Sequence, residues 1–267
     1  MNILLALISC LPLLTKAGGD ERIATQNLPV EHGKATDGRP AVETANLNLF
    51  DTARGRTVPV MLYAPPGAAE DPGRRRSKLK LAVISHGYGG KNTDYSFIAA
   101  NLVAHGYLVA SIQHHLPNDE PLPTSGNPYE VRMPNWQRGV GNILFVIREI
   151  KTLRPDVDFE SLLLVGHSNG GDTSMLFARE HPKLVREVIT LDNRRMPIPR
   201  TKRPRILSIR SSDQQADAGV LPTTAAQKKF GIIIIRLDNT MHDDMWDGAT
   251  EGQKREINEI ISRFLHR

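Results

Sequence analysis

The chain has 267 residues, enough for one large domain with a substantial core, and its 40% hydrophobic and 24% charged content is that of an ordinary soluble globular protein. The net charge of +5 is modest and only 5% of residues are aromatic, which argues against a nucleic-acid surface built on stacked rings. The one dense basic run, Arg74-Arg75-Arg76, sits in a Pro/Gly-rich stretch and reads as a solvated loop rather than a phosphate-binding patch.

The first residues differ from all that follow. An apolar stretch from Ile3 to Leu14 precedes small residues, as in a secretory signal, and Thr15-Lys16-Ala17 suits a cleavage site. The expectation is a signal peptide over 1–17, an N-terminal extension over 18–44, and a secreted or periplasmic protein. No Lys or Arg precedes the run and Pro12 interrupts it, which suits a start lying inside a longer signal. Leu7-Ile8-Ser9-Cys10 also fits a bacterial lipoprotein box, which would make Cys10 a lipid-bearing first residue, and a buried apolar segment is the plain alternative. Cys10 is the only cysteine, so cleavage after Ala17 would exclude disulfides and thiolate metal sites. No other apolar run approaches the length of a bilayer span, so no integral membrane association is expected.

"ANLNLFD" and "TVPVMLYAP", joined around "TARGR", predict an antiparallel hairpin at a sheet edge. From residue 78 onward, apolar runs of strand length alternate with segments of helical period. "KLKLAVISHG" predicts a strand ending at a glycine turn, and "TDYSFIAANLVAHG" a helix stopped by Gly106. "YLVASIQ" and "WQRGVGNILFVIREIKTL" repeat the pair, as do "SLLLVGHS" and "SMLFAREHP". The strands "EVITLD", "RPRILSIRSSD" and "FGIIIIRLDN" follow, and "EGQKREINEIISRFLHR" closes the chain as an amphipathic helix. Continuous apolar strands alternating with helices predict a mostly parallel sheet covered on both faces, one α/β domain over 45–267 without internal repeats. Residues 114–135, with five prolines and no periodicity, predict a lid or pocket wall over the carboxyl ends of the strands.

Gly166-His167-Ser168-Asn169-Gly170 is G-x-S-x-G set between an apolar strand and a helix. The pentapeptide alone is common, and its context makes it a tight elbow that presents Ser168 as a nucleophile rather than a helix cap. An oxyanion needs two backbone donors. Asn169 supplies one by position, and the N–H of Tyr88 in "SHGYGG" is the candidate for the other. A serine hydroxyl needs a base, and His242, just beyond the last strand, suits that role. His86 and His114 lie near the site, while His181 precedes a helix-ending proline. Two aspartates compete to orient His242. Asp213, after "PRILSIRSS", is preferred, and Asp192, ending "VITLD", is the alternative, with Asp217 a weaker third. If Asp213 is the acid, Asp192 would pair with Arg194 or Arg195. His114, Trp136 and Trp246 are read as pocket walls, with core packing the competing role. There is no ligand cluster and no phosphate loop, so no metal or organic cofactor is expected.

Taken together, "ISHGYGG…YSFIAANLVAHGYLVASIQH" and "VGHSNGGDTSM" resemble the α/β-hydrolase superfamily, and within it the dienelactone-hydrolase-like group that includes platelet-activating-factor acetylhydrolase-type esterases. The resemblance runs over about residues 45–265 and implies a serine esterase acting on a small-molecule or lipid-like ester through an acyl-enzyme. "LDNRRMP" resembles the acetylhydrolase segment whose aspartate is the acid, whereas "RSSD" fits the commoner pattern. Serine in place of cysteine argues against dienelactone itself. The triad does not name the acyl group. A lipase, thioesterase or peptidase would carry the same residues, and a non-catalytic binding protein could keep the same fold.

Overall fold

A computed structural model describes residues 31–32, 42–68 and 78–266. The expected leader, Cys10 and the Arg74-Arg75-Arg76 run lie outside the described residues. The hairpin forms as β2 (Glu43–Asp51) and β3 (Arg56–Ala64), paired from Glu43↔Ala64 to Asp51↔Arg56 around a turn at Gly55 (φ +59°). A two-residue strand β1 (Glu31–His32) adds to its outer edge. Then follow β4 (Leu79–Ser85), α1 (Ser96–Ala104), β5 (Tyr107–Ile112), α2 (Pro128–Val131) and α3 (Met133–Leu153). The second half is β6 (Val157–His167), α4 (Asn169–Glu180), β7 (Glu187–Leu191) and β8 (Arg205–Arg210). It closes with α5 (Thr224–Phe230), β9 (Ile233–Arg236), a 3-10 turn at His242–Asp244 and α6 (Glu251–Leu265).

These strands make one nine-stranded sheet in the order β1-β2-β3-β5-β4-β6-β7-β8-β9. Pairing is antiparallel from β1 to the β3–β5 edge and parallel from β5 through β9. Both faces are covered, and the strands show it in their side-chain period of two. Leu162 and Leu164 of β6 join a core with Trp136, Ile143 and Phe177 from α3 and α4. Leu163 and Val165 point the other way, to Ile98, Leu102, Ile257 and Ile261 of α1 and α6. The run Leu162–Val165 at the middle of β6 is therefore apolar at successive positions rather than at alternate ones.

Two elements depart from the expectation. Residues 114–135 are irregular only as far as Asn127, whose side chain caps α2, and α3 is already helical at Met133. α5 is not foreseen, because "TAAQKKF" buries none of its residues and so carries no apolar stripe.

Candidate active site

The register of three neighbouring strands builds the site. His167 of β6 pairs with Leu191 of β7, and Leu191 pairs with Ile209 of β8, so Ser168 and Asp192 leave the sheet side by side. The Ser168 N–H still donates to the Leu191 carbonyl, and the Asp192 N–H to the Ile209 carbonyl, each at 2.8 Å. Both residues then turn sharply, with φ of 51° and 58°. They are the two non-glycine residues with positive φ among the described residues. Such backbone costs on the order of 1–3 kcal/mol and persists where packing enforces it. At Ser168 the enforcement is close approach: a Cβ at Gly166 would stand 2.3 Å from the Gly170 carbonyl oxygen, and one at Gly170 2.1 Å from that of Ser85. Only hydrogen fits at either position, and the turn into α4 stays tight.

His242 reaches both residues from the loop after β9. The Ser168 hydroxyl lies 2.9 Å from Nε2, and Nδ1 lies 2.6 Å from Asp192 Oδ2. The carboxylate can only accept, so Nδ1 carries the proton and Nε2 is left as an acceptor. Burial alone would raise the Asp192 carboxyl. The bond from His242, the charge of Arg210 (2.7 Å, not aligned as a hydrogen bond) and the bonds from Ser211 together hold it below its ordinary value. His242 thus bridges a hydroxyl and a fully buried, ionised carboxylate.

The preferred Asp213 is not the residue at the ring. Its Oδ1 accepts the backbone N–H of His242 at 2.7 Å, so it tethers the loop that carries the histidine. Asp213 lies three residues past the end of β8, whereas Asp192 directly follows β7, the strand next to the nucleophile's own. Asp217 is drawn off to an ion pair with Arg195.

The expected oxyanion donors are free in the geometric sense. Among the described residues no hydrogen bond engages the N–H of Tyr88, or that of Asn169, the first residue of α4. The Asn169 side chain is pinned by the Trp136 indole N–H at 2.8 Å and by Asn135 at 2.9 Å. Tyr88, His114 and Asn169 line one narrow cavity with His115 and Asn135. The Tyr88 hydroxyl accepts the Leu122 N–H, which ties the 114–127 loop to the glycine loop. Trp136, expected as a pocket wall, is instead a fully buried core residue on the inner face of α3. Trp246 is exposed, with its ring over Gly248.

Three participants are not foreseen. The Gly87 N–H donates to the Tyr95 hydroxyl, which in turn lies 2.8 Å from His167 Nδ1. The His167 ring packs 4.8 Å from that of His242, and burial, with His242 beside it, pushes the His167 pKa down to about 3. Asp172, one turn into α4, accepts the N–H groups of Arg194, Arg195 and Met196 at 3.1, 2.9 and 2.9 Å. It fastens the loop after Asp192 to the helix after Ser168. Burial lifts its carboxyl to about 6 against the pull of those donors. For two of the three the signal in the sequence was present: His167 and Asp172 sit in "GHSNGGD" itself, whereas Tyr95 lies tens of residues away. Among the described residues no three His, Cys, Asp or Glu side chains gather as metal ligands.

This sheet, with a serine elbow after one parallel strand and a histidine after the last, has the α/β-hydrolase fold. It superposes on a fungal esterase from Rhizomucor miehei with a TM-score of 0.61, at 15% identity over 85% of this chain and 84% of the other. A dienelactone hydrolase from Anabaena variabilis gives 0.55, at 15% identity over 84% of this chain and 98% of the other. The sequence similarity is narrower and more particular. The profile of the family "Platelet-activating factor acetylhydrolase, isoform II" matches residues 59–119, from β3 through the glycine loop to the loop after β5. The platelet-activating factor acetylhydrolase of Canis lupus familiaris is 25% identical over 174 residues, 50% of this chain and 39% of the relative. That of Cavia porcellus is 27% identical over 146 residues, 40% of this chain and 34% of the relative. The matched segments span well under half the length of these relatives. Among the described residues no helix is long and apolar enough to cross a membrane.

Proposed function

We propose that the protein is a serine hydrolase that cleaves carboxylic esters through an acyl-enzyme intermediate. The observation that carries this reading is the unbroken line from Ser168 Oγ to His242 Nε2 (2.9 Å) and from His242 Nδ1 to Asp192 Oδ2 (2.6 Å). His242 takes the proton of Ser168 as Oγ attacks the ester carbonyl, and the buried Asp192 carboxylate stabilises the imidazolium that forms. The tetrahedral oxyanion is held by the N–H groups of Asn169 and Tyr88, each worth on the order of 3 kcal/mol where water is excluded. His242 returns the proton to the departing alkoxide, the C–O bond breaks, and the acyl group stays on Ser168. Water, deprotonated by the same histidine, then releases the acid and restores the serine.

The acetylhydrolases among the relatives favour a short acyl group. Turnover of p-nitrophenyl esters should therefore fall from acetate and butyrate to palmitate. A fluorophosphonate probe should label the wild type and not Ser168→Ala, and an unlabelled wild type would overturn the enzymatic reading. The apolar run Ile3–Leu14 supports export, in which case the N-terminus of the protein recovered from culture should lie near Gly18.

A further inference from the structure

The turn of the β2–β3 hairpin carries a second concentration of charge that ester cleavage does not use. Arg54 and Arg56 reach from it to α3 and the loop after β5, where with Arg138 and Asp119 they line a cavity of about 760 Å³. Both terminal nitrogens of Arg56 are engaged: they hold the Asp119 carboxylate at 2.6 and 2.7 Å, and one also donates to the His114 carbonyl, while its buried Nε meets no acceptor among the described residues. Arg54 is paired through Nε with Asp51, and its Nη1 donates to Asn142 at 3.0 Å. Among the described residues the Arg138 side chain has no acceptor of its own. Its Nη2 stands 3.7 Å from the Asp119 oxygen that Arg56 and the Leu116 N–H already occupy.

A clamp that merely ties down residues 116–119 is complete with Arg56 and Asp119. Arg138 adds like charge beside it, and among the described residues its side chain makes no hydrogen bond in return, although it is only 26% exposed. Buried guanidinium edges are ordinarily met by an acceptor. Three guanidinium groups thus face two carboxylates, and the surplus lies in a concave wall. The helix also leaves room there: a Cβ at Gly141, in the interior of α3, would stand 2.7 Å from Arg54 Nη1. Glycine at such a position costs about 1 kcal/mol relative to alanine.

We infer that this cavity binds an anionic oxygen group, a carboxylate or phosphate, between the guanidinium groups of Arg138 and Arg54. Its volume is that of a site for a small organic anion. The loop at 114–119 and α3 wall both this cavity and the narrow one at Tyr88 and Asn169. The anion is therefore either the charged end of the ester or a separate free ion. The first source rests on the esterase reading, and the second does not.

Inorganic phosphate titrated calorimetrically into the full chain at low ionic strength should give a saturating heat. Arg138→Gln and Arg54→Gln should each weaken the binding about tenfold. Gln137→Arg, an added cation on the exposed rim, should tighten it several-fold, a gain that misfolding cannot imitate. In parallel, kcat/KM is compared for mono-p-nitrophenyl glutarate and the neutral p-nitrophenyl butyrate. If Arg138→Gln lowers the anionic-to-neutral ratio about tenfold, the ester carries the anion; an unchanged ratio with weakened phosphate binding assigns the site to a free anion. No phosphate binding by the wild type, or binding that Arg138→Gln leaves unaltered, overturns the inference. Should neither ester turn over, the esterase reading fails while the phosphate titration still decides this site.

Discussion

Ser168 and Asp192 share an unusual backbone state, and the reason is where each stands. Each is the first residue past the carboxyl end of its strand, and each must swing its side chain across the sheet edge toward one histidine. Asp192 meets the ring of His242, while Asp213 meets its backbone, and the two contacts predict different losses. Asp192→Asn should lower kcat about 10⁴-fold, because an amide no longer enforces the Nδ1–H tautomer or stabilises the imidazolium. Asp213→Asn should cost less than about tenfold, since the amide oxygen can still accept the His242 N–H. Steady-state kinetics of both variants on p-nitrophenyl acetate distinguish these roles, and equal losses would contradict the assignment. His242 itself was readable in the sequence as a histidine just past the last apolar strand. The choice of acid was not, because Asp192 and Asp213 both follow apolar strands and only the register across β6, β7 and β8 brings one of them to the ring.

At the scale of elements, the site is where α4 is pressed against the strands it leaves. Gly170 lies against the carbonyl of Ser85, the last residue of β4, so the elbow after β6 and the loop carrying Tyr88 share one contact. Gly170→Ala would force backbone against backbone, which side-chain adjustment cannot relieve. The expected cost is on the order of 3 kcal/mol, read as a lower urea midpoint, together with loss of fluorophosphonate labelling. On the far face, α6 is held by Ile257, Ile261 and Phe264. Ile261→Ala there should cost about 2–5 kcal/mol with the labelling retained in the folded fraction. The long elements were readable from their period: the predicted strands and the helices α1, α3, α4 and α6 all form. α5 escaped because it is short and half-exposed, and the start of α3 was obscured by the prolines around it, although Pro134 sits in the first turn where proline is tolerated.

The whole molecule buries titratable groups on both sides of the sheet edge, and their shifts set its response to acid. His167 stays neutral in the fold down to about pH 3, and burial pushes the His114 pKa well below its ordinary value too. In the unfolded chain both take up protons near pH 6.5, so stability is full above that value and is lost as pH falls toward 3. Asp172 works in the opposite sense: its folded pKa of about 6 lies above the unfolded value, so it adds stability as pH falls from about 6 to 4. The urea midpoint should therefore be lower at pH 5 than at pH 7, and the drop should be larger in Asp172→Asn, which lacks the compensating gain. A flat or rising midpoint in the wild type would contradict this balance.

The linear order of residues was sufficient for the alternation of strand and helix, the serine between two glycines, and a histidine past the last strand. These are local facts, set by side-chain period, by the room a tight turn leaves, and by position along the chain. Which aspartate meets His242, that His167 and Tyr95 join the glycine loop to the base, and that Arg54 and Arg138 face one cavity were decided only by tertiary structure. Each of those depends on strand register or on the meeting of residues tens of positions apart, and neither is written in the pattern of any single segment.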